Sequence, residues 1–116
     1  MNTLIKGEDK TLDITIEDSL GNAIDFDDLI NMVVILSING TVVKRYSKVL
    51  TSGYDTIVEG STSNVAKCII NRADSAQFNV GVMRIEIQLF ITDSDYVGGR
   101  KDVQQSALFN VVNDHS

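Results

Sequence analysis

The chain has 116 residues, with 16 acidic against 10 basic side chains and a formal net charge of −6. That length fits one domain over residues 1–116, and at this size roughly two-thirds of the unfolded surface can be buried, so a core holds without a staple. A pI near 4.5 argues against a sequence-independent grip on nucleic acid, the longest apolar run, Met32 to Leu36, is far short of the ~20 residues of a membrane-spanning helix, and the single cysteine, Cys68, excludes an internal disulfide or a cysteine zinc cluster.

Ile and Val together number 26 against 13 for Leu and Ala, and proline is absent. β-Branched residues suit a pleated, half-buried surface, and reversals without proline must use Gly and Asx chemistry. Lys10 to Asp18 alternates, with Leu12, Ile14 and Ile16 on one face and Thr11, Asp13, Thr15 and Glu17 on the other, which predicts a strand with one wet face. Ser19 to Asn22 supplies a turn, and Asp27-Asp28 can cap a short turn before Leu29.

Asn31 to Ile38 is nearly continuous apolar, the pattern of a strand covered on both sides. Asn39-Gly40 then predicts a type I′ hairpin, and the strand returns over Thr41 to Val49, where Lys44, Arg45 and Lys48 mark an exposed or edge position. Thr56 to Glu59 is a weaker segment that pairs locally. Asn64 to Ile70 reads as the next strand, and Asn71 to Phe78 loses the period of two and predicts one helical turn that plugs Phe78 into the core end. Val82 to Thr92 is the clearest strand, with Met83, Ile85, Ile87, Leu89 and Ile91 inward, and belongs at the centre. A glycine-rich reversal over Asp93 to Gly99 leads into a last strand, Lys101 to Val112, that returns Ala107, Phe109 and Val111 to the core. About seven strands with turns near every ten residues predict an all-β, immunoglobulin-like antiparallel β-sandwich. The Trp and the Cys pair of antibody domains are missing.

The order of these signals resembles the immunoglobulin-like N-terminal domain of phage baseplate upper proteins and related small virion proteins of tailed phages. The matching residues are Ile5 to Asp9 ahead of the first long strand, Leu12 to Phe26, the hairpin Val34 to Val43, and Phe78 to Ile87. Met83 departs from the pattern, standing where an aromatic is usual, and Ser52 to Thr62 is longer and less patterned. The resemblance implies a structural, non-enzymatic virion component that decorates the capsid or adapts tail or baseplate, in several copies of a symmetric assembly with other virion proteins as partners. It covers most of the chain, without a fibre or coiled-coil extension, which favours an accessory subunit over the base of a long fibre.

Chemical candidates are weaker. His115, the lone histidine, lies one residue from the C-terminus, a poor place for a base that a second group must orient. Asp93-Ser94-Asp95 resembles a calcium loop but lacks a third carboxylate and a closing Glu, and the other carboxylates, Glu8, Asp9, Glu17, Asp18, Asp25, Asp27 and Asp28, are ordinary in turns. Tyr46, Tyr54 and Tyr96 would stack on sugars in a rival reading as a carbohydrate- or receptor-binding module. Cys68 sits on an apolar face as a small core hydrophobe. No catalytic, cofactor or metal residue is expected, nor a nucleic-acid or membrane partner. Interface candidates are Asn2 to Lys6, which alternates and can add to a neighbour's sheet edge, the loop Thr51 to Thr62, and the turn Tyr96 to Lys101.

Overall fold

The computed structural model describes residues 2–105 and 109–113. Among them lie ten strands: β1 (Asn2–Ile5), β2 (Lys10–Thr15), β3 (Leu29–Ile38), β4 (Thr41–Ser47), β5 (Asp55–Thr56), β6 (Val58–Glu59), β7 (Val65–Ile70), β8 (Gly81–Ile91), β9 (Arg100–Gln105) and β10 (Phe109–Val112). One short α-helix, α1 (Arg72–Ser75), joins β7 to β8, and a single 3-10 turn, Phe26–Asp28, leads into β3. The larger sheet runs β1-β10-β8-β3-β4-β5 with β9 also paired to β8, and the smaller runs β2-β7-β6. The chain is an all-β sandwich, with β2-β7-β6 facing β10-β8-β3-β4.

The core follows from alternation along the two longest strands. Val34, Leu36 and Ile38 of β3 lie opposite Ile87, Ile85 and Met83 of β8, and all six are buried. From the smaller sheet, Leu12 and Ile14 of β2 pair with Cys68 and Ala66 of β7, closing the interior from the other side. Tyr46 of β4 is also inward and buried, and its hydroxyl donates across the sandwich to the Ile69 carbonyl at 2.8 Å. Asn39 and Gly40 both take positive φ, 51° and 82°, as the type I′ hairpin requires. The expected helical turn is present as well. Asn71 caps it by accepting from the Asp74 N–H at 2.9 Å, Ser75 Oγ donates to the Glu8 carbonyl at 2.7 Å, and Phe78 is buried just beyond.

Several expectations are corrected. Asn2–Ile5, read as a strand for a neighbour's edge, pairs in parallel with this chain's own β10, Leu4 facing Val111. The sandwich is thus not wholly antiparallel, since β5 also runs parallel to β4. Thr56 to Glu59 is not one local segment: β5 belongs to the larger sheet and β6 to the smaller, with buried Ile57 between them as the chain crosses over. Lys44 and Lys48, expected as edge charges in water, turn back on the protein. Lys44 Nζ reaches Asp55 and Asp74, each at 2.6 Å, and Lys48 Nζ donates to the carbonyls of Phe26 and Leu29 at 2.8 and 2.6 Å. Burial works to lower the Lys44 pKa, yet its two carboxylate hydrogen bonds hold it above the ordinary lysine range.

Two further differences matter for function. The strand expected to be covered on both sides is covered on one: Val33 and Ile35 are half-buried and face outward, while Met32, Val34, Leu36 and Ile38 are fully buried. The last strand is divided. Gln105 pairs with Glu86 and Phe109 with Met83, so four steps along one strand match three along β8. A one-residue step exchanges the two faces of a strand. Val103 therefore shares the outer face with its partner Gln88, whereas Phe109 and Val111 are buried. Ala107, expected beside them, lies outside the described residues.

This step predicts opposite outcomes for two valines of equal parity. Val111→Thr places a hydroxyl in the core and is expected to cost about 1–3 kcal/mol, whereas Val103→Thr stays within about 0.5 kcal/mol of the parent. Urea midpoints at constant m-value distinguish them.

Candidate functional site

The strand registers bring four connections to one end of the sandwich. Thr15 pairs with Val65, Leu29 with Ile91, Val33 with Ser47 and Ile91 with Arg100, so residues 16–28, 48–54, 60–64 and 92–99 all emerge together. The Phe26 N–H donates to the Ser63 carbonyl at 2.7 Å and ties the two sheets' loops to each other. Three of these connections end in an aliphatic side chain held out into water: Leu20 at 83% exposure, Leu50 at 88% and Val97 at 106%. Val49, Ile30 and Tyr96 extend the same surface at 50%, 45% and 55%. Singly exposed aliphatic residues are ordinary, whereas exposed apolar surface gathered at one end is the kind that suits an interaction.

Each tip stands on a hydrogen-bonded turn. Asp18 accepts from the N–H groups of Leu20 and Asn22, both at 2.9 Å, and these bonds, the one from Asn22 foremost, hold its carboxyl below the usual carboxylate range. Asn31 Oδ1 accepts from the N–H of Met32 at 2.9 Å and of Val49 at 3.0 Å, and from Ser47 Oγ at 3.2 Å, fixing the base of the Leu50 turn. Asp93 Oδ1 accepts from the Asp95 N–H at 3.0 Å, and Gly99 N–H closes onto the Tyr96 carbonyl at 3.2 Å. Gly99 has φ of 90° and packs so closely that an added Cβ would sit 2.6 Å from the Ile91 carbonyl oxygen. Turns fixed in this way present their tips without a further ordering cost on binding.

The charge around the tips is negative, from Asp18, Asp25, Asp27, Asp28, Asp93 and Asp95. A cleft of about 540 Å³ opens beside Tyr96 and Val97, lined also by Ser19, Arg100 and Asp102. The outer face of the larger sheet has the opposite character. Arg45, Arg84 and Lys101 stand there against Glu86, around half-buried Val33, Ile35 and Phe90 and the exposed Val103. Lys101 Nζ lies 5.7 Å from the centre of the Phe90 ring, within cation–π range.

The residues singled out in the sequence do not converge. Tyr46 is in the core and Tyr54 is half-buried, which leaves Tyr96 as the exposed ring of the three. Asp93 uses one carboxylate oxygen on its own turn and has the other 4.0 Å from Arg100. Among the described residues no three His, Cys, Asp or Glu side chains gather in a metal-binding group. Asp9 pairs with Arg72 at 2.9 Å, and the hydrogen bonds from that side chain hold its pKa below the usual range. Cys68 is fully buried, and burial pushes its thiol up to about 12. His115 lies outside the described residues. Of the three interface segments, Asn2–Ile5 is spent on β10, Thr51 to Thr62 supplies the crossover, and Tyr96 to Lys101 contributes to the apolar end.

Leu20 and Leu50 escaped the sequence reading as interface residues, whereas Val97 lies within the candidate turn Tyr96 to Lys101 and Val33 and Ile35 within the run expected to be covered on both sides. The signal was available: Leu20 stands in Ser-Leu-Gly-Asn, Leu50 in Val-Leu-Thr-Ser-Gly and Val97 in Tyr-Val-Gly-Gly, each an apolar residue among turn formers and outside any period-two run. The fold and surface define a small β-sandwich module with an apolar, acidic loop end. No protein-family model matches the chain, and comparison with curated proteins and with solved structures returns no match.

Two outcomes follow. Asn31→Ala strands donors around Val49 and is expected to cost about 1–3 kcal/mol, with faster amide exchange at Val49 read by NMR. The Cys68 thiol stays neutral in the fold up to about pH 12 but ionises from pH 9.0 once unfolded. Stability from this group is thus intact below pH 9 and lost as pH rises toward 12, roughly 1.4 kcal/mol of it between pH 8 and 10. Cys68→Ala is expected to flatten that part of the pH profile of the urea midpoint, below the range where Tyr46, whose pKa burial also raises, adds its own loss.

Proposed function

We propose that the chain is a non-enzymatic structural subunit of a tailed-phage virion, an immunoglobulin-like sandwich that decorates the capsid or joins parts of the tail or baseplate. The reading draws on the resemblance over Ile5 to Asp9, Leu12 to Phe26, Val34 to Val43 and Phe78 to Ile87. The observation that carries it is the preformed apolar end, where Leu20, Leu50 and Val97 project from hydrogen-bonded turns. Projecting aliphatic tips suit contact with another protein surface better than capture of a small substrate, which favours a concave, largely enclosed pocket. The exposed Tyr96 beside its polar cleft favours a second reading, a carbohydrate- or receptor-binding module.

Mass spectrometry of purified infectious particles, with isotope-labelled peptides as standards, is expected to detect the chain in a fixed ratio to the major capsid protein. Hundreds of copies place it on the shell, and roughly six to eighteen place it on the tail or baseplate, from the symmetry of such assemblies. Particles that lack the chain overturn the reading. Retention of a glycan on an array by the isolated protein, with no copy in particles, installs the second one.

A further inference from the structure

The larger sheet's outer face and the loop end are complementary surfaces of one molecule. On the face, three basic side chains, Arg45, Arg84 and Lys101, meet one acidic, Glu86, although the whole chain carries −6. At its centre Val33 and Ile35 make β3 apolar on a side where, among the described residues, no strand or helix packs over them. A strand apolar on both faces is the pattern of one buried on both. The loop end supplies what that face lacks, with the protruding aliphatic side chains Leu20, Leu50 and Val97 set among six aspartates.

We infer that the loop end of one copy docks on the outer face of the larger sheet of a second copy. Size agrees as well as charge. β8, at 11 residues, and its three neighbours β4, β3 and β9 form a face about 36 Å long and about 19 Å wide, from ordinary strand rise and spacing. The end it receives has a cross-section of 27 × 26 Å. The two overlap over about 19 × 26 Å, about 500 Å² on each side, so about 1,000 Å² is buried in total, the lower bound of a specific interface and the size of a weak, reversible one. The two surfaces differ, so the contact is head-to-side and repeats: each copy offers a free end and a free face, and the series grows as an open chain or closes into a ring. A lipid surface fits poorly, because the acidic end is repelled by anionic headgroups. The inference goes beyond the virion reading and does not rest on it, since it concerns the pure protein.

Sedimentation velocity and light scattering on the isolated chain test it, with two variants made at exposed positions so that the core is untouched. One variant, Leu50→Ser with Val97→Ser, blunts the end; the other, Arg45→Glu with Arg84→Glu, reverses the face; circular dichroism and thermal midpoints verify that both are folded. The parent is expected to associate from the micromolar range upward at low salt, at least about tenfold more weakly in high salt, as screening dictates. Each variant alone is expected to remain monomeric. An equal mixture of the two is expected to form a heterodimer and to stop there, because one intact end meets one intact face. A parent that is monomeric at every concentration overturns the inference. Association that survives in either variant overturns it equally, since face-to-face or end-to-end pairing predicts that result, and so does a mixture that stays monomeric, since the intact end then fails to meet the intact face.

Discussion

Alternation along β3 and β8 is the constraint on which the rest of the molecule depends. Their register sets Val34 against Ile87 and Leu36 against Ile85, and a slip by one residue would exchange the whole apolar row for Val33, Ile35, Glu86 and Gln88. The smaller sheet has an interior to close onto because that row is in place: Leu12, Ile14, Ala66 and Cys68 fill the opposite side, and the Tyr46 hydroxyl reaches Ile69 across the gap. Cations then secure the periphery. Lys44 draws Asp55 and Asp74 together, holding β5 and α1 beside β4, and Lys48 satisfies the carbonyls of Phe26 and Leu29 where the chain enters β3.

Where the alternation stops, the surface acquires its character. The step between β9 and β10 turns Val103 outward and brings Asp102 and Gln104 to the inner side. There Asp102 accepts from the Ser19 N–H at 2.8 Å, and Gln104 Nε2 donates to the Glu17 carbonyl at 2.7 Å. The same irregularity therefore adds an aliphatic residue to the sheet's outer face and anchors the turn that displays Leu20. The positions of the loop tips are consequences of the sheet registers rather than independent features.

The parts of the fold legible in the sequence were those set by near neighbours. Val82 to Thr92 announced its inward row by strict alternation, Asn39-Gly40 its turn by two residues tolerant of positive φ, and Asn71 to Phe78 its helical turn by losing the period of two. What escaped was non-local. Asn2–Ile5 reads as a spare strand because nothing in those four residues indicates Phe109–Val112 as their partner. The step in the last strand leaves no mark, since Val103 and Val111 have the same parity and the same chemistry. The continuous apolar run of β3 suggested cover on both faces, and a single sequence cannot distinguish cover by its own chain from cover by another. The tips Leu20 and Leu50 were overlooked for a related reason: turn grammar is read from its polar residues, and a lone Leu among them carries no periodicity.

The pairing of β1 with β10 also bears on how the protein is made. Asn2 lies against Phe109, so β1 has no partner until a segment distant in sequence has been translated. Contacts this distant in sequence slow folding and prolong the exposure of unpaired edges. Until β10 is in place, β1 and one flank of β8 stay unpaired together, so a single late segment closes two open edges at once.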